Sequence, residues 1–401
     1  MLNTQFSPWP SFTQEETEAV SRVLLSNQVN YWTGSETRNF EKEFAQWVGT
    51  KYAVALSNGT LALDIALQAL DIGEGDEVIV TPRSFIASVS TVINAGAMPV
   101  FADVEPDSGN ISARTIAPYI TDKTKAIICV HLAGWPCDMD AIMDLAKQHD
   151  LWVIEDCAQA HGAKYKGKSV GSIGHIGAWS FCQDKIMTTG GEGGMVTTND
   201  KTLWQKMWEF KDHGKNYDSV YHKQHPPGFR WLHDSFGTNW RMMEMQAVIG
   251  RIQLTRMAQW TRTRTQYANM LTEALLPFSS INGALHLPNS YFNTKLGADS
   301  VHAYYKYYVY LRPHNLPHGV TRDTILQVLN AQNIPCFSGT CPEIYLEKAF
   351  DNHPSKPKER LPTAKQLGEE SLMFLVHPSL TTEEMQQICN VIKQLFTSLS
   401  T

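Results

Sequence analysis

Lys185 stands in the stretch SFCQDKIMTTGGEGGMV, residues 180–196, after an apolar run and before glycines at 190, 191, 193 and 194. A lysine between a buried strand and a glycine turn is poorly solvated, and desolvation pulls an ammonium toward the neutral, nucleophilic amine that forms Schiff bases. The competing reading is an ordinary solvated turn lysine. VIEDCAQAHG, residues 153–162, sets Glu155 and Asp156 at the end of an apolar run, where a carboxylate loses solvent and needs a cation or a donor. An N-cap or a structural salt bridge accounts for them equally well, and His161 is a further candidate base or a structural histidine. In ALSNGTLALDIAL, residues 55–67, a strand-like approach meets Asn58, Gly59 and Thr60 before a helical pattern. The free amides and positive dipole end of a helix start attract a phosphate, and glycine lets it come close, although any capped helix begins the same way. Taken together, the helix start, the strand-end carboxylate, Ser180, the lysine and the glycine turn match the needs of pyridoxal phosphate. That cofactor asks for a seat for its phosphate, an anion for its pyridinium nitrogen and an amine for its aldehyde.

These residues need a frame. Between about residues 50 and 200, the runs DEVIVTP, MPVFADV, AIICVHLAG, LWVIEDC, GAWSFC and GGMVTTND read as strands separated by helical patterns. Continuous apolar strands alternating with helices predict an α/β fold with a mostly parallel sheet covered on both faces, and such sheets bind ligands beyond the carboxyl ends of their strands. Asp156 and the Ser180–Lys185 segment fall at such ends. A long helix is expected from Asn239, because Met242, Met245, Ile249 and Ile252 recur at spacings of three and four. The segment before it, KNYDSVYHKQHPPGFRWLHDSFGT, reads as an extended loop. Beyond about residue 260 the pattern turns to aromatic-rich strands such as AYYKYYVYLRP and a closing helix from LTTEEMQQ, with Met385, Ile388, Ile392 and Leu395 on one face.

In family order, FEKEFAQWVGTKYAVALSNGTLAL, GDEVIVTP, IEDCAQAHGA, GAWSFCQDKIMTTGGEGGMV, KDHG and TNWRMMEMQAVIGRIQL resemble the DegT/DnrJ/EryC1/StrS nucleotide-sugar aminotransferases, within the aspartate-aminotransferase-like fold of pyridoxal-phosphate enzymes. The resemblance is strong over roughly residues 30 to 260. It implies a large cofactor-binding domain over 1–258, with its mostly parallel sheet sandwiched by helices, and a smaller α+β domain over 259–401. It implies Lys185 as the Schiff-base lysine and proton shuttle, Asp156 on the pyridine nitrogen, Gln159 on the ring or its 3-hydroxyl, and Phe85 over the ring face. Gly59, Thr60 and Ser180 would hold the phosphate, with Asn239 reaching it from the partner of a homodimer, although Asn239 also suits a helix cap. Trp32 and Tyr345 are candidates for stacking on a nucleotide base, and His213 and Arg241 for contact with substrate or the subunit interface. Dehydratase relatives carry histidine where this chain has Lys185, so lysine points to transamination. The GGEGG turn resembles relatives that aminate carbon 4 of a sugar.

The expected reaction is transfer of the amino group of L-glutamate to a nucleotide-linked 4-keto-6-deoxy sugar for surface polysaccharide. The alternatives are a 3-keto nucleotide sugar, a non-catalytic pyridoxal-phosphate-binding regulator, or an unrelated nucleotide binder that uses the 58–60 turn.

Composition narrows the rest. With 401 residues, 43% of them hydrophobic, the chain buries a sizeable core, and a net charge of −6 argues against a nucleic-acid or anionic-membrane partner. The amino terminus lacks the pattern of a secretory signal, which leads to the expectation of a cytoplasmic protein. Seven scattered cysteines without CxxC pairs read as reduced thiols rather than a metal site.

Overall fold

All six runs of β-branched and aliphatic residues become strands, because each carries side chains that suit a pleated surface buried on both faces. The computed structural model describes residues 6–288 and 292–399. In chain order the strands are β1 (Tyr52–Leu56), β2 (Glu77–Val80), β3 (Met98–Phe101), β4 (Thr124–Val130), β5 (Trp152–Asp156), β6 (Lys164–Tyr165), β7 (Lys168–Ser169), β8 (Ile176–Ser180), β9 (Gly194–Thr198), β10 (Leu285–His286), β11 (Tyr307–Leu311), β12 (Cys336–Phe337) and β13 (Ser371–Phe374). The main sheet has the order β1-β9-β8-β5-β4-β2-β3. Strands β3, β2, β4, β5 and β8 run parallel, while β9 lies antiparallel to β8 and to β1. The carboxyl ends of β1, β2, β4, β5 and β8 therefore share one edge, which is where such sheets bind ligands.

A smaller antiparallel sheet, β10-β11-β13-β12, carries its own core with Leu329, Leu372, Phe374, Ile388 and Phe396. The two sheets are joined by one helix of 32 residues, Glu244–Leu275, so the expected boundary at 258/259 falls inside a continuous helix. That helix begins at Glu244 rather than at Asn239. The backbone of Asn239 is bridged to Asp212, and the Trp240 amide donates to the Lys211 carbonyl, which holds this stretch extended until Glu244. Asn239 is therefore not the helix cap.

The loop expected over 215–238 contains one short helix, Tyr217–Tyr221, and is otherwise extended, with Phe229, Trp231 and Phe236 exposed. The closing helix, Thr382–Leu399, starts as expected: the Thr381 hydroxyl accepts from the Glu384 amide, and the Glu384 carboxylate accepts from the Thr381 amide. Its buried face uses Phe396 where Leu395 was expected, and Leu395 is only partly buried. All seven cysteines are free. Among the described residues, no helix is long and apolar enough to cross a membrane.

Candidate active site

Strand alternation separates the two neighbouring carboxylates of β5. Glu155 is fully buried and fully occupied. Its Oε2 accepts from His131 Nε2 (3.0 Å) and the Gly171 amide (2.8 Å), and its Oε1 from the amides of Ile173 (2.8 Å) and Gly174 (2.6 Å). Burial alone would raise its pKa, but the His131 contact and the amides outweigh burial and hold it below the usual carboxylate range. His131 Nδ1 accepts from the Cys137 amide at 3.0 Å, so Nε2 carries the ring proton. Although His131, Glu155 and Cys157 lie close enough to ligate a metal, both ring nitrogens are spent on the fold.

Asp156 points the other way. It is 4% exposed, its Oδ2 accepts from the Ser88 hydroxyl (2.8 Å) and its Oδ1 from the Ala158 amide (3.1 Å), and it has no salt-bridge partner among the described residues. A buried carboxylate without a counter-ion is costly, and the surface it faces is a cavity of ≈ 1320 Å³. That volume exceeds what a single drug-sized ligand needs. Gly59, Thr60, Phe85, Gln159, Ser180 and Lys185 line the same cavity. Seven of the expected site residues, from four separate segments of the chain, thus meet at one place.

Each is positioned by its own element. The helix Gly59–Ala69 starts directly after β1, with the Asn58 side chain accepting from the Leu61 amide at 3.0 Å, which leaves the first-turn amides of Gly59 and Thr60 without an intrahelical partner. Gly59 is required there, since a Cβ would lie 2.4 Å from the Ser180 Cβ. The Gln159 side-chain oxygen accepts from the Ala133 amide at 2.8 Å, which fixes the amide group at the cavity wall. Phe85 is 64% exposed, an aromatic face without a packing partner of its own size. The Lys185 backbone is anchored by Trp9, whose indole donates to the Lys185 carbonyl at 2.8 Å. Its Nζ makes no hydrogen bond among the described residues and lies 5.3 Å from the centroid of the Tyr305 ring. The Tyr305 hydroxyl donates to Asp184; burial first, and then the Asp184 charge, hold that phenol well above its usual pKa.

The remaining expected residues do not line this cavity. Trp32 and Arg241 meet at Asp212, next to His213 in the chain; the Asp212 Oδ1 accepts from Trp32 Nε1 (3.3 Å), Lys215 Nζ (3.1 Å) and an Arg241 Nη (2.8 Å). The amide of His213 donates to the Thr238 carbonyl, one residue before the exposed Asn239. Tyr345 requires a correction. It is 1% exposed, packs edge-on against Phe101 and uses its hydroxyl on Glu343 and the Leu361 amide, so it has no face to offer a base.

The sequence reading missed Ser88, Trp9, Tyr305, Arg264 and Lys306. Only Ser88 left a local trace, three residues after Phe85. Trp9 comes from the amino-terminal segment, Arg264 from the long helix, and Tyr305 and Lys306 from the approach to β11, and nothing in their neighbourhoods marks them.

The fold and this site are those of an aminotransferase. The chain belongs to the DegT/DnrJ/EryC1/StrS aminotransferase family, whose model matches residues 10–393. An aminotransferase from Psychrobacter cryohalolentis is 65% identical in sequence, with a TM-score of 0.97 over 99% of this chain and 100% of that one. GDP-perosamine synthase from Escherichia coli O157:H7 is 36% identical, over 96% of this chain and 97% of that protein. UDP-N-acetyl-3-dehydro-alpha-D-glucosamine 3-aminotransferase from Acidithiobacillus ferrooxidans is 34% identical, over 98% and 96%. Such relatives make this a sugar aminotransferase. Their names differ in both the nucleotide and the sugar.

Proposed function

We propose that the protein transfers the amino group of L-glutamate to carbon 4 of a nucleotide-linked 4-keto-6-deoxy sugar, using pyridoxal phosphate, in the cytoplasmic synthesis of a surface polysaccharide. The observation that carries the reading is a pair of unsatisfied opposite charges. Asp156, buried without a counter-ion, and Lys185, without a hydrogen-bond partner, face one cavity beside a helix start. A cofactor with a protonated ring nitrogen, an aldehyde and a phosphate satisfies all three at once.

Asp156 would hold the ring nitrogen, Gln159 the ring edge, and Phe85 one ring face. The amides of Gly59 and Thr60 and the Ser180 hydroxyl would take the phosphate. When bound, pyridoxal phosphate supplies a carbonyl carbon for the amine and an electron-withdrawing ring. Lys185 then has two duties. It holds the cofactor between turnovers, and during each half-reaction its amine moves a proton, taken from the donor's α-carbon and later given to the sugar carbon. Trp9, held to the Lys185 carbonyl, would shield the reacting carbons from water on that side.

Carbon 4 is supported by the GGEGG turn, which places Glu192 at the cavity. Purified protein should release 2-oxoglutarate from glutamate in step with a 4-amino sugar. Product formed only from 3-keto nucleotide sugars would overturn the position while leaving the transamination intact. A protein that stays colourless after addition of pyridoxal phosphate would overturn the cofactor.

The site also calls for a homodimer. Asn239 is exposed and outside its own chain's cavity, so a role on the phosphate needs a second copy. Trp32 and Arg241 bond the side chain of Asp212, whose backbone is bridged to Asn239, and a neighbour that receives Asn239 would meet them and the adjoining His213 too. The exposed rings of Phe229, Trp231 and Phe236 on the preceding loop suit a subunit contact. Sedimentation of a fully active monomer would refute this.

A further inference from the structure

The cavity holds a second group of cations that the transfer reaction leaves without a task. Lys306, one residue before β11, lines the wall half-buried and makes no hydrogen bond or ion pair among the described residues. Its Nζ lies 4.7 Å from the centroid of the Tyr305 ring, the ring that Lys185 Nζ approaches at 5.3 Å. Arg264, 1% exposed, lines the same wall. Its Nη1 donates to the carbonyls of Tyr304 (3.2 Å) and Tyr305 (3.4 Å), and its Nε has no partner.

The surroundings do not balance these charges. Trp9, Phe337, Met373, Val376 and Leu380 make this end of the cavity apolar, which raises the cost of an uncompensated cation. Asp184 acts on both lysines, but its carboxylate already receives the Tyr305 hydroxyl. Burial, and then Arg264 and Lys306, hold His377 near a pKa of about 3, so it is neutral and adds no charge of its own. Burial also brings Lys306 down to about 8, which leaves it an ammonium at neutral pH. An anion is missing from this wall.

We propose that Lys306, braced by Arg264, seats the anionic group that each substrate carries into the cavity: the distal carboxylate of the amino donor, or a phosphate of the nucleotide. The inference rests on the transamination reading above. Both substrates must present their reacting carbon at Lys185, and each bears a negative group several bonds from that carbon, the side-chain carboxylate in glutamate and the diphosphate in the nucleotide sugar. A seat beside the same Tyr305 ring that the reacting amine approaches therefore serves one substrate, then the other, in successive half-reactions. It also favours donors with a second carboxylate over neutral ones such as alanine.

Calorimetric titration of the cofactor-loaded protein with glutarate, and separately with UDP, GDP and dTDP, tests the seat without turnover. Lys306→Met should weaken at least one class of anion by about tenfold or more, the scale of one charge-assisted hydrogen bond, and Lys306→Arg should recover most of that loss. In turnover, the same change should raise the KM for glutamate or for the nucleotide sugar more than it lowers kcat. A loss confined to glutarate assigns the seat to the donor carboxylate, a loss confined to the nucleotides assigns it to a phosphate, and a loss of both means the seat is shared. Wild-type affinity for every anion in Lys306→Met overturns the proposal, as does a wild-type protein that binds none of them. A wild-type protein that binds glutarate but transfers nothing from glutamate overturns the transamination reading and leaves the seat standing.

Discussion

Glu155 and Asp156 are adjacent on one strand, both carboxylic acids and both buried, yet one belongs to the fold and the other faces the cavity. Around Glu155, four donors converge on two oxygens and close a turn at residues 171–174. Around Asp156, two donors leave the charge unbalanced in front of the open volume. Burial by itself therefore does not mark a functional carboxylate. What separates the two is whether the protein has already supplied every partner.

The largest expected effect lies on the open side. Lys185→Ala should reduce 2-oxoglutarate release by about a thousandfold or more while leaving the melting temperature unchanged, because the amine is the reacting group and bonds to nothing else. Retained turnover would remove the chemical half of the contrast.

The sharper experiment exchanges each carboxylate for its amide. Glu155→Gln must turn an NH₂ toward two of the four donors, which then lose their acceptor, at a cost of about 3 kcal/mol in denaturant unfolding, with glutamate KM little changed in the folded fraction. Asp156→Asn should do the reverse, keeping an acceptor for Ser88 and stability near wild type while lowering turnover by about a hundredfold. Similar phenotypes for the two would erase the distinction.

Acid extends the comparison to a buried group whose polar atoms have no hydrogen-bond partner among the described residues. His161 lies between Trp179 and Phe181 with both ring nitrogens unsatisfied, and burial first, then Lys185 and Arg264, lower its pKa to about 3. Between about 3 and the ordinary value of 6.5 the unfolded chain binds a proton that the folded chain refuses, so stability falls as pH drops through that window. The slope from one such histidine is about 1.4 kcal/mol per pH unit, and His161→Phe should flatten the measured acid dependence by that amount.

The smallest effect concerns Tyr345. Tyr345→Phe should cost about 1 kcal/mol through the lost hydroxyl contacts and leave the KM for a nucleotide sugar unchanged. A change in that KM would move Tyr345 back among the substrate contacts.

Much of this was legible beforehand, for reasons of range. The six apolar runs became β2, β3, β4, β5, β8 and β9 because a strand buried on both faces writes itself into consecutive residues. Residues at strand ends were placed with them, which is why Gly59, Asp156, Ser180 and Lys185 come together as the motif order implied. The start of the long helix was misplaced because hydrophobic spacing at Met242 continues into an extended stretch that Asp212 and Lys211 hold by backbone contacts 27 to 29 residues away. Tyr345 was misjudged because an aromatic ring looks the same in sequence whether its hydroxyl meets solvent or Glu343.

The amino-acid sequence by itself determined the chemical inventory: an amine, a strand-end carboxylate and a helix start, each legible because it depends on neighbours a few residues away. Tertiary structure decided which members of that inventory were free to act. The register of β5 chose Asp156 over Glu155, and the insertion of β9 between β8 and β1 brought Gly59 against Ser180. The amino-terminal segment and the small sheet then closed the cavity with Trp9, Tyr305 and Lys306. Such choices rest on contacts between residues far apart in the chain, which local spacing does not encode.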